Sequence, residues 1–388
     1  MKKQRLTVLL AFSLLLVVAT VIGCGTLGVD GFLIPVGSNF EAKFLYAVNA
    51  QEDSNVDGLT ISGFSVDPAT GKLTPVPGSP FTTSASGCCG TLFIDVDPNS
   101  RFLYVPNRDA ASVSVFGIDS TGKLTQIAGS PFPTGGSDVF AVILHPNGNF
   151  LYAADRSNDT VTVFSIGSDG HLTSLGSVDT SGSARQMFID PQGRFLYVSD
   201  ESEGGVIDGF TIGANGGLTP INGSPFGNLN CPRSGTVDFA GKFLLVADRC
   251  NDTVSVYSID QNSGALTEAT GQGSPFTAGD STFGVVEVVA GGTTYMAVNN
   301  LDASVSVFTF DTSTGKLVEI NGSPFDLGLS WAHYIAVDPS GKFGYIADFG
   351  NGNIQGLTVG ANGDPTAISG SPFSGGGLTE PSQIVISH

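Results

Sequence analysis

Four side chains in this 388-residue sequence have the types needed for chemistry at a carbonyl: Arg185, Arg233, Glu201 and His333. Two guanidiniums can hold a carboxylate or a carbonyl oxygen through fixed N–H donors. Glu201 is the candidate to activate a water molecule, with His333 as the alternative base. Arg185–Gln186, Arg233–Ser234, His333–Tyr334 and Ser382–Gln383 each stand at the head of an equivalent short segment. The corresponding pairs elsewhere, Leu92–Phe93, Phe140–Ala141 and Gly284–Val285, are apolar. A purely structural repeat has no need to vary here while its turns stay regular. Arg185, Gln186, Arg233, His333, Tyr334 and Gln383 are therefore the candidate ligand-binding sector. No nucleophile elbow, phosphate-binding loop, histidine cluster or zinc-type cysteine spacing is found, so neither metal nor cofactor is expected.

The elements that position these residues come from a repeat. Its cleanest copy is RFLYVPNRDAASVSVFGIDSTGKLTQIAGSPF, residues 101–132. FLYV and SVSVF read as strands, the glycine of D-S-T-G-K supplies a turn, LTQI is a third strand, and GSPF breaks it because proline cannot donate to a ladder. An apolar run such as FAVILHPNG (140–148) precedes the next FLY, making four short antiparallel strands per unit. The copies KFLYAVN, RFLYVPN, NFLYAAD, RFLYVSD, KFLLVAD, TTYMAVN and KFGYIAD start at residues 43, 101, 149, 194, 242, 293 and 342. Seven copies about 50 residues apart, without a helical pattern, predict an all-β seven-bladed propeller. The first copy lacks its preceding apolar strand, and the chain ends on such a strand, PSQIVIS (381–387). The C-terminal strand should complete the first blade and leave no orphan edge. The Asn or Asp closing each FLYV strand (Asn49, Asn107, Asp155, Asp200, Asp248, Asn299, Asp348) reads as turn chemistry rather than a ring of metal ligands.

Ahead of the propeller, MKKQR and the apolar run 6–22 read as an export signal, and VIGC (21–24) resembles the bacterial lipobox, which implies lipidation at Cys24. The expected organisation is a signal peptide at 1–23, a tether at 24–42 and the propeller at 43–388. The expected location is the cell envelope, with membrane attachment through Cys24. In an oxidising compartment Cys231 and Cys250 can pair, since both count back symmetrically from the turn at Ala240 and Gly241. Cys88 and Cys89 are adjacent, where a disulfide would be strained, so two thiols or a partner outside the chain are expected. The net charge is −19, and losing Lys2, Lys3 and Arg5 with the signal would bring it to about −22, which argues against nucleic acid as a partner. A monomer facing a small-molecule ligand or an envelope protein is expected. The basic residues nevertheless sort: Arg108, Arg156, Arg185, Arg233 and Arg249 fall on the face where the innermost strands begin, here called the first face.

The repeat resembles the seven-bladed lactonase-like propellers, which include bacterial 6-phosphogluconolactonase and a muconate-cyclising enzyme, and the related YVTN-repeat surface proteins. The resemblance covers residues 43–388 and rests on FLYV, the DPxG turns and TGKL. In the enzymes one blade reads PRH on the inner strand and NE after the FLYV strand. Here it reads ARQ (184–186) and DE (200–201), so Arg185 and Glu201 match and Gln186 replaces the histidine. With the export signal, the acidic charge and the replaced histidine, two functions are expected. The first is an exported, lipid-anchored module binding a ligand or protein at the channel mouth. The alternative is a lactone hydrolase.

Overall fold

The computed structural model describes residues 42–50, 59–84, 92–201 and 203–388, together with the backbone of a two-stranded hairpin, Thr26–Val29 with Phe32–Pro35. The signal segment, Cys24, Cys88 and Cys89 lie outside the described residues, and the hairpin falls within the expected tether.

Seven antiparallel sheets, numbered here as blades 1 to 7, follow the seven copies in order. In blade 4 the strands run outward as Ala184–Ile189, Phe195–Asp200, Glu203–Ile212 and Leu218–Pro220. Blade 1 is closed by the C-terminus: Pro381–Ser387 pairs with Phe44–Asn49, interrupted only at Ser382. FLYV strands are buried on both faces because each sheet is covered by two neighbours.

Two devices hold neighbouring blades together. Buried tyrosine hydroxyls reach into the next blade's turn, Tyr46 to the Gly122 carbonyl (2.9 Å), Tyr152 to Gly216 (3.1 Å), Tyr197 to Gly264 (2.8 Å) and, closing the ring, Tyr345 to Gly71 (2.7 Å). The preceding phenylalanine packs on the same glycine, and a Cβ on Gly122 would lie 2.4 Å from the Phe44 ring. The left-handed φ of 81° and this close approach both require glycine there.

GSPF does more than break a strand. After the proline the chain returns, and Phe81–Thr82, Phe132–Pro133, Phe276–Thr277 and Phe325–Asp326 pair again with the third strand of their blades. Where the ladder is interrupted, the motif's serine hydroxyl accepts the third-strand N–H, as Ser79 does from Gly63 (2.9 Å) and Ser371 from Gly356 (2.7 Å). Blade 3 lacks the motif, and its outer strand runs unbroken from Leu172 to Asp179.

The sixth copy sits one residue away from the expected alignment. Thr282 pairs with Asn300, and Tyr295 takes the place of the copies' phenylalanine, packing against Gly363. Asn300, not Asn299, therefore closes that strand, and Phe283, not Gly284, heads the inner strand. TTYMAVNN carries two asparagines, so the sequence permits either alignment; ring packing selects one. The closing acids bind the loop that enters the inner strand: Asp248 accepts from Asn230 N–H (2.9 Å) and Asp348 from Ser330 N–H (2.8 Å).

Candidate functional site

A bulge or irregularity at the head of the inner strand in six of the seven blades, all but blade 2, builds the mouth of the channel. In blade 4 Ala184 pairs with Asp200 and Gln186 with Ser199, leaving Arg185 outside the ladder. Phe140, Phe283, His333 and Ser382 are left out in the same way in blades 3, 6, 7 and 1, and Arg233 falls in the corresponding irregularity of blade 5. A bulge re-aims the extra side chain. The residue after it faces the axis: Gln186, Tyr334 and Gln383 line a channel cavity of about 70 Å3 with Phe93 and Ala141.

The predicted sector is thus split between two levels. At the mouth, Glu201 receives Arg185 on Oε2 and Arg233 on Oε1, with Arg249 3.7 Å from Oε1. The Arg233 and Glu201 side chains are 7% and 11% exposed, so this is a buried ion cluster. Arg185 faces Oε2 as an ion pair without the alignment of a hydrogen bond, and the Nε–H groups of Arg185 and Arg233 have no hydrogen-bond partner among the described residues. Burial, then repulsion from Arg233, Arg156, Arg249 and Arg108, pushes the Arg185 guanidinium well below its usual range. Burial, then repulsion from Arg249 and Arg156, lowers Arg233 to about 9. Each guanidinium also lies over a ring, Arg185 over Phe140 and Arg233 over Phe283, both 4.3 Å from the centroid.

Beside this cluster, Asp138 is held by Arg108 (2.7 Å) and Arg156 (2.8 Å). Burial would raise the Asp138 carboxyl, but the two arginines more than offset it and hold it below its usual value. Five guanidiniums and two carboxylates thus form a local cationic cluster, set among the closing carboxylates of Asp155, Asp200, Asp248 and Asp348. Diffusing anions are focused toward such a patch.

His333 is placed differently from an exposed base. It stacks between Phe283 (5.1 Å, 14°) and Phe349 (4.3 Å, 21°), and Trp331 leans against it at 6.1 Å. Burial, then Arg233 and Arg185, lowers its pKa to about 3. Gln383 is also reassigned, because its amide oxygen and nitrogen hold the backbone N–H and carbonyl of Ile94 in the next blade. Tyr334 packs edge-on to Phe93 (6.0 Å), whereas the Gln186 Oε1 has no partner among the described residues. Phe283, Phe349, Trp331, Arg108, Arg156 and Asp138 complete the mouth. The sorting of basic residues by face pointed to the arginines; the aromatic groups gave no comparable signal.

Cys231 and Cys250 form a disulfide, two residues before Arg233 and one after Arg249. Among the described residues no three His, Cys, Asp or Glu side chains gather in a metal-binding arrangement.

Fold and mouth together define an all-β propeller with a cationic opening on one face. The family described as "Lactonase, 7-bladed beta-propeller" matches residues 36–128, 129–207 and 204–277, more than half of the chain, and the protein belongs to this family. It is 27% identical over 212 residues to the 6-phosphogluconolactonase of Pectobacterium carotovorum, covering 53% of this chain and 50% of that one. It is 34% identical over 84 residues to that of Yersinia pestis, covering 22% and 25%. The chain therefore matches a quarter to a half of the length of these curated relatives. Two solved structures share the fold. One from Bacteroides fragilis, provisionally assigned as a 6-phosphogluconolactonase, has a TM-score of 0.71 and 21% identity, covering 90% of this chain and 99% of that one. A periplasmic gluconolactonase of Pseudomonas aeruginosa has a TM-score of 0.70 and 17% identity, covering 89% and 99%.

Proposed function

We propose that this protein hydrolyses a sugar lactone at the first-face mouth. One observation carries the reading: Arg185 and Arg233, from successive blades, converge on the Glu201 carboxylate at the channel mouth. A donor already fixed and desolvated stabilises an oxyanion without reorganising when charge develops. In this scheme a water oxygen adds to the lactone carbonyl while Glu201 accepts the water proton. The tetrahedral oxyanion is held by the guanidiniums. The ring C–O bond then breaks, and the leaving alkoxide takes the proton back, giving the hydroxy acid. His333 is a poor base for this step, because an imidazolium would have to form beside two guanidiniums in a buried stack. The family membership and the named activities of the relatives support the reaction class.

Hydrolysis of glucono-1,5-lactone by the full chain, followed in a pH-stat against the spontaneous rate, tests the proposal. Turnover removed by Arg185→Ala with Arg233→Ala is expected; no excess turnover of this or other sugar lactones by folded protein would overturn it. A second reading, ligand binding without turnover, is favoured by Gln186 standing where the resembling enzymes carry histidine. Binding of gluconate in the absence of any lactone turnover would select it. Attachment through Cys24 in the cell envelope belongs to the proposal as well; incorporation of a labelled fatty acid by the wild type and not by Cys24→Ser checks it.

A further inference from the structure

We propose that Trp331 is the stacking platform of a carbohydrate subsite continuous with the arginine mouth. The ligand is then a sugar acid or lactone bearing a second sugar ring, a substrate class that rests on the lactone reading for its acid end only.

Trp331 is the sole tryptophan of the chain and is 52% exposed. It occupies the position just before the inner strand of blade 7, with a left-handed φ of 73°. The same backbone turn recurs before the inner strands of blades 5 and 6, at Cys231 (φ 67°) and Ser281 (φ 55°). The turn therefore forms without an indole, since a serine serves in blade 6. A bulky side chain in left-handed backbone carries a conformational cost, and leaving a large ring half in water forgoes its burial. Neither feature is explained by folding.

The surroundings say what the ring meets. Trp331 leans on His333 (6.1 Å) and Phe349 (5.7 Å), His333 stacks on Phe283, and Phe283 lies under the Arg233 guanidinium. One chain of contacts thus runs from the exposed indole, through His333 and the buried Phe283, to the guanidinium of Arg233. The C–H face of a pyranose is apolar and weakly positive, complementary to the electron-rich face of an indole. An acid group is complementary to Arg233. Phe283 and His333 lie between the two ends, so a ligand that reaches both is longer than one lactone ring. The channel cavity, about 70 Å3, is far smaller than ordinary small-molecule sites, so the ligand lies across the mouth instead of entering the channel.

The single tryptophan provides the readout. Gluconate and lactobionate, which is gluconate carrying a galactosyl ring, are titrated against the intrinsic fluorescence of the full chain. Because aromatic contacts contribute about 0.5–1.5 kcal/mol, lactobionate is expected to bind up to about tenfold more tightly than gluconate and to perturb the emission. In Trp331→Ala, followed by calorimetry, the lactobionate advantage should disappear with gluconate affinity unchanged, and Trp331→Phe should restore part of it. Equal affinities in the wild type, or an undiminished lactobionate advantage in Trp331→Ala, overturn the platform and leave the lactone reading intact. A preserved lactobionate advantage without turnover of any lactone overturns the lactone reading and leaves the platform intact. Binding of neither sugar overturns both, and detergent-sensitive self-association lost in Trp331→Ala would reassign the ring to a protein contact.

Discussion

Replacing Glu201 by glutamine tests the ion cluster most directly. The substitution removes one negative charge and leaves Arg185, Arg233 and Arg249 facing a neutral amide. At an effective dielectric of about 20, a charge pair about 4 Å apart is worth roughly 4 kcal/mol. Arg249 is 36% exposed, so its share is screened and small. Removing the carboxylate also removes its own desolvation cost, which offsets part of the two buried interactions. The net expectation is therefore the loss typical of a broken buried pair, about 3–5 kcal/mol. For a propeller of this length that is a fall in melting temperature of roughly 4–7 °C. If Glu201 is also the base, lactone turnover should drop by about 10²–10⁴. Arg233→Ala in the same chain separates the two roles: it relieves the unpaired charge and should recover stability, with a coupling of about 1–3 kcal/mol, while activity stays lost. Melts and initial rates of the two single variants and the double variant decide. Additive changes in melting temperature, or a Glu201→Gln variant as stable as the wild type, would refute the cluster.

Three further outcomes are expected. Gly122→Ala forces a left-handed alanine whose Cβ meets the Phe44 ring, and should cost about 2–5 kcal/mol in denaturant titration; an unchanged midpoint would remove the tyrosine and phenylalanine turn contact as an inter-blade tie. Glu287 is buried on the inner strand of blade 6, accepts from Phe239 N–H (2.6 Å), and is pushed well above its usual 4.5 by burial and then by Asp238. The folded protein favours the neutral acid, so stability is fully present below about pH 4.5 and is lost as pH rises through the folded value. Glu287→Gln keeps the acceptor and should match the wild type near pH 4 but melt higher at pH 8; parallel profiles would contradict this. Cys231→Ser with Cys250→Ser opens a loop of 19 residues' separation, which should cost about 3 kcal/mol and raise KM more than it lowers kcat, because the bond ties together the segments carrying Arg233 and Arg249.

The repeat made the blades, their order and the C-terminal closure legible, since each depends on local strand pattern and turn chemistry. Arg185, Arg233 and Glu201 were legible as a group because apolar residues at equivalent positions threw them into relief. Other features depend on what side chains do after the backbone is set. Nothing local in TTYMAVNN distinguishes Asn299 from Asn300, so Phe283 stayed hidden behind Gly284. The sequence shows Gln383 as polar at a ligand level, but only the spacing of blades 1 and 2 reveals that its amide completes the Ile94 backbone. His333 reads as a base from its type, whereas its neighbours Phe283 and Phe349 come from blade 6 and a separate turn and make it an aromatic spacer.

The bulge that lifts one residue out of the ladder also uncouples two kinds of mutational pressure. Arg185, Phe283 and His333 form no register pair, so exchanging them sacrifices no cross-strand partner. The cost of an exchange is confined to neighbours around the rim. A propeller of this kind is therefore a frame with interchangeable rim positions, in which charge, ring or hydroxyl can be set blade by blade. Specificity in such a frame can drift by single substitutions that leave every strand register intact, the cost falling on rim contacts such as the Glu201 ion pairs.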